Sequence, residues 1–93
     1  MQVAVLTVTL YAPWVHSLKE KRMEVKSLVS RLKNKFNISA AEVDKQDIHQ
    51  TIVIGIAAVA ADHALADSIL EHVLHFIESN TEAEILLVER ENR

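Results

Sequence analysis

The chain has 93 residues, no cysteine and a formal net charge of −3. A chain of this length holds one hydrophobic core, so we expect a single domain over residues 1–93. The lack of cysteine excludes disulfides and thiolate metal sites, and the apolar run 52–61 is too short to span a bilayer. The first residues lack the basic region of a secretory signal, which predicts a cytoplasmic protein with no membrane partner.

The first two predicted elements are a strand and a basic helix. Residues 2–10 mix Val, Leu and Thr with alternating faces and no helical period, which is typical of a strand, and Pro13 ends it. Ser17 and Glu20 have the spacing of a capping box, in which each side chain takes up a free backbone amide at a helix start. A stripe of apolar residues at helical spacing then predicts a helix over residues 17–36.

A short acidic strand is predicted after this helix. Asn37 is expected to end the helix in the left-handed conformation, since Asn adopts it more readily than most residues. Residues 38–44 read as an edge strand, with Glu42 and Asp44 on the same face.

The second half of the chain predicts a central strand, a helix and a last strand. Residues 50–59 are apolar or small on both alternating faces, as in the middle of a sheet. The single glycine, Gly55, indicates either a bulge or a close approach by another segment. Asp62 is expected to cap a helix that ends near Asn80, and residues 84–89 form the final strand.

The element order βαββαβ predicts an α+β domain of the ferredoxin-like type. Its four-stranded antiparallel sheet has the strand order 4-1-3-2, with two helices on one face. The alternative is an irregular α+β domain with another strand order. The predicted core consists of Leu6, Val8, Leu28, Leu32, Ile69, Val73 and Phe76. The predicted uncovered face carries Val3, Val5, Thr7, Thr9, Thr51, Val53 and Ala57.

Positive charge is concentrated in the first helix. Residues 19–35 contain seven basic and two acidic residues, a formal charge of +5, so the rest of the chain carries −8. Four of the basic residues fall at offsets of three, four and seven on one flank of the apolar stripe: Lys19, Arg22, Lys26 and Lys33. Such a flank is suited to the phosphates of RNA. The alternative is a solvated helix face that balances an acidic remainder.

The loop before this helix is a second candidate site. Trp14, His16 and Ser17 stand just before a helix N-terminus, where free amides and the helix dipole favour an anion or ligand. The alternative is that Trp14 packs over the small core. Acylphosphatases use this architecture with a glycine-rich loop and an Arg, and residues 11–17 contain neither.

No catalytic or metal-binding pattern stands out. His72 and His75 have spacing that suits one metal, but a third ligand at matching spacing is absent, so we interpret them as surface histidines and expect no metal or cofactor. An acid-base or cation site is one interpretation of the polar segment near the second strand, and protection of a sheet edge is the other. That segment contains Glu42, Asp44, Asp47 and His49.

Two motifs resemble the YlxP-like family of small bacterial proteins. They are Ser17-Leu18-Lys19-Glu20-Lys21-Arg22 and Ala41-Glu42-Val43-Asp44-Lys45-Gln46-Asp47, and the resemblance covers nearly the whole chain. It implies the ferredoxin-like fold, a bacterial and cytoplasmic origin, and genes near those of translation and ribosome maturation. It implies no particular reaction.

The sequence therefore favours a non-enzymatic module that binds RNA or a ribosomal particle through helix 17–36. The alternative is a protein-protein module that forms a homodimer or larger homo-oligomer through the open sheet face or an edge strand. An enzyme ranks third, because no nucleophile with a base, phosphate loop or metal signature is present.

Overall fold

A computed structural model describes residues 1–93 as six elements. They are β1 (Gln2–Tyr11), α1 (Leu18–Lys35), β2 (Ser39–Asp44), β3 (Thr51–Ala60), α2 (His63–Asn80) and β4 (Glu84–Asn92). All strand pairs are antiparallel, and the order β2-β3-β1-β4 is the predicted order 4-1-3-2 read from the other edge. The architecture is α+β and consistent with the ferredoxin-like arrangement. Neither helix is long and apolar enough to cross a membrane.

One apolar core lies between the sheet and both helices. Alternate residues of β1 and β3 are buried together with the inner faces of α1 and α2. The predicted core residues Leu6, Val8, Leu28, Leu32 and Val73 are in this cluster, and Ile69 and Phe76 pack against it. Because both helices cover the same side, the opposite face of the sheet is uncovered, as predicted.

Both helices begin as the sequence predicts. The Ser17 hydroxyl accepts a hydrogen bond from the Glu20 amide at 3.1 Å, which is the first half of the predicted capping box. The Glu20 carboxylate accepts its hydrogen bond from the His16 amide at 3.4 Å, one residue before the Ser17 amide that a capping box uses. The Asp62 carboxylate accepts a hydrogen bond from the Leu65 amide at 2.9 Å. Side-chain oxygens thus satisfy amides that no helical carbonyl can reach.

The end of α1 differs from the prediction. Phe36 caps the helix in an extended conformation, with φ −127° and ψ 151°, and Lys45 is the only non-glycine residue with a positive φ. The left-handed conformation predicted for Asn37 is therefore wrong. The extended exit lets the Phe36 ring pack edge-on against Phe76, with ring centroids 5.6 Å apart, and this contact takes the place of a left-handed cap.

A bulge in β2 separates two acidic residues that were expected to share a face. Glu42 pairs with Ile54 and Asp44 pairs with Val53, so Val43 is an extra residue in the strand. Paired residues point to the same side of a sheet, and Ile54 faces the core. Glu42 therefore points toward the helices and Asp44 toward the open face.

Gly55 is required by the same bulge. A Cβ atom at this position would lie 2.7 Å from Cγ1 of Val43. Of the two explanations for a glycine inside a strand, the structure shows the close approach of another segment.

Candidate nucleic-acid interface

Four basic side chains lie along one exposed flank of α1. Lys19, Arg22, Lys26 and Lys33 are all exposed, and none of them forms a salt bridge. Since a helix rises about 1.5 Å per residue, the four positions extend over about 21 Å. We refer to these four residues as the basic flank. Their charges are free to contact an anionic partner.

The two acidic residues of α1 do not neutralise the basic flank. Glu20 accepts a hydrogen bond from the His16 amide, just before the helix start. Glu24 accepts a hydrogen bond from Nε1 of Trp14 at 3.3 Å. Both carboxylates are thus turned toward the loop that precedes the helix.

The remaining basic residues of the helix include two with structural contacts. Nη1 of Arg31 donates a hydrogen bond to the backbone oxygen of Asn80 at 2.6 Å, so Arg31 joins the two helices where α2 ends. Lys21 is only 1% exposed, although Lys side chains are rarely buried. The charged groups of Arg31 and Lys21 are thus occupied within the chain, whereas those of the basic flank are free.

Lys21 fixes the turn between β2 and β3. Its ammonium group donates hydrogen bonds to the backbone oxygens of Lys45 at 2.5 Å and Ile48 at 2.6 Å. It also lies 2.8 Å from Oε2 of Glu42, in an ion pair whose angles fall outside those of a hydrogen bond. Three oxygen atoms around one buried ammonium group compensate its removal from water.

The contact of Lys21 joins the two motifs on which the family resemblance rests. Lys21 belongs to the first motif, and Glu42 and Lys45 belong to the second. Sequence reasoning missed this residue because it was counted with the other cations of the helix. Its spacing was the available signal: Lys21 lies four residues before Val25 and seven before Leu28, in the apolar stripe.

Most of the exposed acidic residues lie outside the basic helix α1, in α2 and β4. The helix α1 contacts β2, whereas α2 packs mainly on the central strands β1 and β3 and also contacts β4. The acidic residues of α2 and β4 are Asp67, Glu71, Glu78, Glu84, Glu89 and Glu91. A partner at the basic flank therefore meets a local positive surface.

Two ion pairs involve these acidic residues. Arg90 contacts Glu71, and Nε of Arg93 lies 2.9 Å from Oε1 of Glu91. The hydrogen bond from Arg93, reinforced by its charge, lowers the pKa of Glu91. Neither pair involves the basic flank.

The predicted residues of the loop before α1 have contacts within the chain. The Ser17 hydroxyl and the Glu20 carboxylate already contact amides at the helix start. Trp14 is 37% exposed and turns its indole toward Glu24, while the His16 side chain is exposed. The three predicted residues Trp14, His16 and Ser17 thus have different surroundings, and Trp14 lines a depression with Glu24 and Arg31.

The histidines and carboxylates do not converge. No group of three or more His, Asp or Glu side chains is positioned to hold a metal ion. His72 is 3.5 Å from the Ser68 hydroxyl, and His75 is 3.9 Å from the Glu71 carboxylate. Glu42 is engaged by Lys21, so the acidic segment that contains it offers no set of free, adjacent acid-base groups.

The fold and surface define a small α+β domain with one cationic helix flank, acidic residues in α2 and β4, and an uncovered sheet face. The chain belongs to a family described as protein of unknown function (DUF503), which matches residues 3–90.

Known proteins support this family and fold. The chain is 44% identical over 68 residues to the uncharacterized protein YlxP of Bacillus subtilis (strain 168), covering 73% of this chain and 74% of that protein. Among solved structures it is similar to the de novo designed protein Foldit4, with a TM-score of 0.51 and 17% identity, over 100% of this chain and 97% of that one. The designed protein shares the fold alone.

Proposed function

We propose that this protein is a non-enzymatic module that binds RNA through the basic flank, in translation or ribosome maturation. The observation that supports this function is a row of four exposed cations on one helix, none of them paired with a carboxylate. Phosphates attract such cations and release condensed counterions on binding. The translational setting comes from the family resemblance.

The open sheet face is less suited to RNA. Modules that bind single-stranded RNA on a sheet stack bases on aromatic side chains of the central strands. β3 contains no aromatic residue, and β1 contains one, Tyr11, at its last position. Phe36 and Phe76 pack against the core on the helix side. Electrostatic contact along α1 is therefore the favoured mode.

The test is fluorescence anisotropy with labelled single-stranded fragments of ribosomal RNA at several salt concentrations. Each phosphate contact contributes a slope of about −0.7 to log affinity against log salt, so four contacts predict a slope of about −3. Phosphate contacts do not read bases, so affinity should depend little on RNA sequence.

The matched variants separate local charge from net charge. Arg22→Glu with Lys26→Glu should weaken binding to all fragments and flatten the salt slope. Lys35→Glu with Lys45→Glu changes the net charge by the same amount outside the basic flank, and this variant should retain most of the affinity. Equal binding by the two double variants, or no binding by the wild type at low salt, would refute the proposal.

A further inference from the structure

A depression lies between the end of α1 and the C-terminal half of α2. Its volume is about 280 Å³. The residues that line it include Lys35, Phe36, His72, His75, Phe76 and Ser79. None of its lining residues is acidic. The depression thus combines two aromatic rings with a lysine and two imidazoles.

The two phenyl rings form the apolar part of this depression. Phe36 and Phe76 are half-buried, and their rings meet edge-on with centroids 5.6 Å apart. The extended conformation of Phe36, with φ −127° and ψ 151°, is the one in which its ring lies against α2. Aromatic rings pack favourably both edge-on and offset face-on, so a flat aromatic ligand can add a third ring to this pair.

Lys35 supplies a free positive charge beside the rings. Its side chain is exposed and forms no salt bridge within the chain. It lies four residues after Arg31, which donates a hydrogen bond to the Asn80 oxygen, so both residues are on the side of α1 that faces α2. Lys33, two residues earlier, is about 200° away around the helix. The charge of Lys35 is therefore separate from the basic flank.

The two imidazoles add positive charge that depends on pH. His72 and His75 are three residues apart, which makes them neighbours on the surface of α2. Nδ1 of His72 is 3.5 Å from the Ser68 hydroxyl, and Nε2 of His75 is 3.9 Å from Oε2 of Glu71. Glu71 is also bound by Arg90, so its charge is shared. Histidine side chains gain a proton as the pH falls from about 8 to about 5, which makes the depression more positive.

Donors within the chain reduce the negative charge of the helix ends at this site. The last carbonyl groups of a helix carry partial negative charge, which disfavours a nearby anion. Nδ2 of Asn80 donates a hydrogen bond to the Phe76 oxygen at 2.9 Å, and Nη1 of Arg31 donates one to the Asn80 oxygen at 2.6 Å. The amide of Phe36 likewise donates to the Leu32 oxygen at 2.9 Å. The side chains of the depression therefore set its charge.

We infer that this depression binds a small aromatic carboxylate. The ring of the ligand packs against Phe36 and Phe76, Lys35 holds the carboxylate, and protonated His72 and His75 strengthen the contact. Ligand pockets usually measure about 300 to 1,000 Å³, so a depression near the lower limit suits a ligand of one or two rings. The inference does not depend on RNA binding, because no residue of the basic flank lines the depression.

Titration of the ¹⁵N-labelled full chain with 2-naphthoate, followed by amide NMR shifts, tests this site. We expect a dissociation constant of about 0.1 to 1 mM at pH 6, in keeping with a small ligand at an open site. The largest shifts should occur at Phe36, His72, His75 and Phe76. The amide 2-naphthamide has the same rings without the charge and should bind about five-fold more weakly or worse.

Matched variants separate the lysine from the imidazoles. Lys35→Met should weaken naphthoate binding about five-fold or more, because it removes the charged donor. Lys45→Met is the control, since Lys45 is exposed in the turn between β2 and β3, and its affinity should equal that of the wild type. Between about pH 7.5 and 5.5 naphthoate stays ionised, so binding to the wild type should tighten about three-fold or more. His72→Gln with His75→Gln should abolish this pH dependence.

Several outcomes would overturn the inference. Absence of saturable shifts at the lining residues up to about 5 mM naphthoate would exclude the site. Equal affinities for naphthoate and naphthamide, or for Lys35→Met and Lys45→Met, would exclude recognition of the carboxylate by Lys35. Phe76→Leu keeps an apolar side chain without the ring, and unchanged affinity in this variant, with circular dichroism confirming the fold, would exclude recognition of the ring.

Discussion

The buried ammonium group of Lys21 gives the most direct test of the structure. Lys21→Met keeps a long, flexible side chain in the apolar stripe and removes only the charged donor. The carboxylate of Glu42 and the backbone oxygens of Lys45 and Ile48 then lose their shared partner. We therefore expect the variant to fold with a weakened turn between β2 and β3.

The cost of this change follows from burial. Removing one member of a buried ion pair costs about 3 to 5 kcal/mol. Oε2 of Glu42 is buried, but the Glu42 side chain as a whole is 15% exposed and the turn lies at the surface, so a small rearrangement would bring the orphaned oxygens to water. We expect a loss of about 3 kcal/mol, which is a large part of the roughly 5 to 15 kcal/mol that stabilises a typical domain.

Equilibrium unfolding in urea measures this loss, with Lys26→Met as the matched control. Lys26 is exposed and unpaired, so its change should cost less than about 0.5 kcal/mol. Combining Lys21→Met with Glu42→Gln removes both charges, and the double variant should lose at least about 1 kcal/mol less than the two single losses added together. Equal stability of Lys21→Met and Lys26→Met would show that the ammonium group does not hold the turn.

Three further predictions concern packing and charge. Leu32 is fully buried, so Leu32→Ala should lower the free energy of unfolding by about 2 to 5 kcal/mol in urea titrations. Gly55→Ala places a Cβ atom 2.7 Å from Val43 and should lower the free energy of unfolding by about 1 to 3 kcal/mol. A second change, Val43→Ala, should recover most of this loss. A neutral single variant would contradict the close approach. Arg93→Ala should return the pKa of Glu91 toward its usual value of 4.5, measured by NMR titration. Because the pKa of Glu91 is lowered in the folded protein, the stabilising contribution of this contact is present above the usual pKa and is lost as the pH falls through the folded value. An unchanged pKa of Glu91 in the variant would exclude the pairing.

The local features of the fold could be predicted from the sequence. Ser17 with Glu20 and Asp62 define the two helix starts, because capping depends on residues three positions apart. The core face of β1 follows from the two-residue alternation that includes Leu6 and Val8. The core face of α1 follows in the same way from the helical spacing of Leu28 and Leu32. Strand order followed from right-handed crossovers. The exposed position of the basic flank followed from the same helical period.

Other features were decided only by contacts between distant segments. The bulge at Val43 depends on the register between β2 and β3, and it reverses the side on which Asp44 lies. The burial of Lys21 depends on a turn 24 residues away that supplies the oxygens its charge requires. Phe36 ends α1 in an extended conformation, and in this conformation its ring packs edge-on against Phe76 of the other helix. The sequence by itself determined which faces are apolar and where helices begin, since these properties are local. The oxygen partners of the buried Lys21 arise only when the strands and their connecting turn are set side by side.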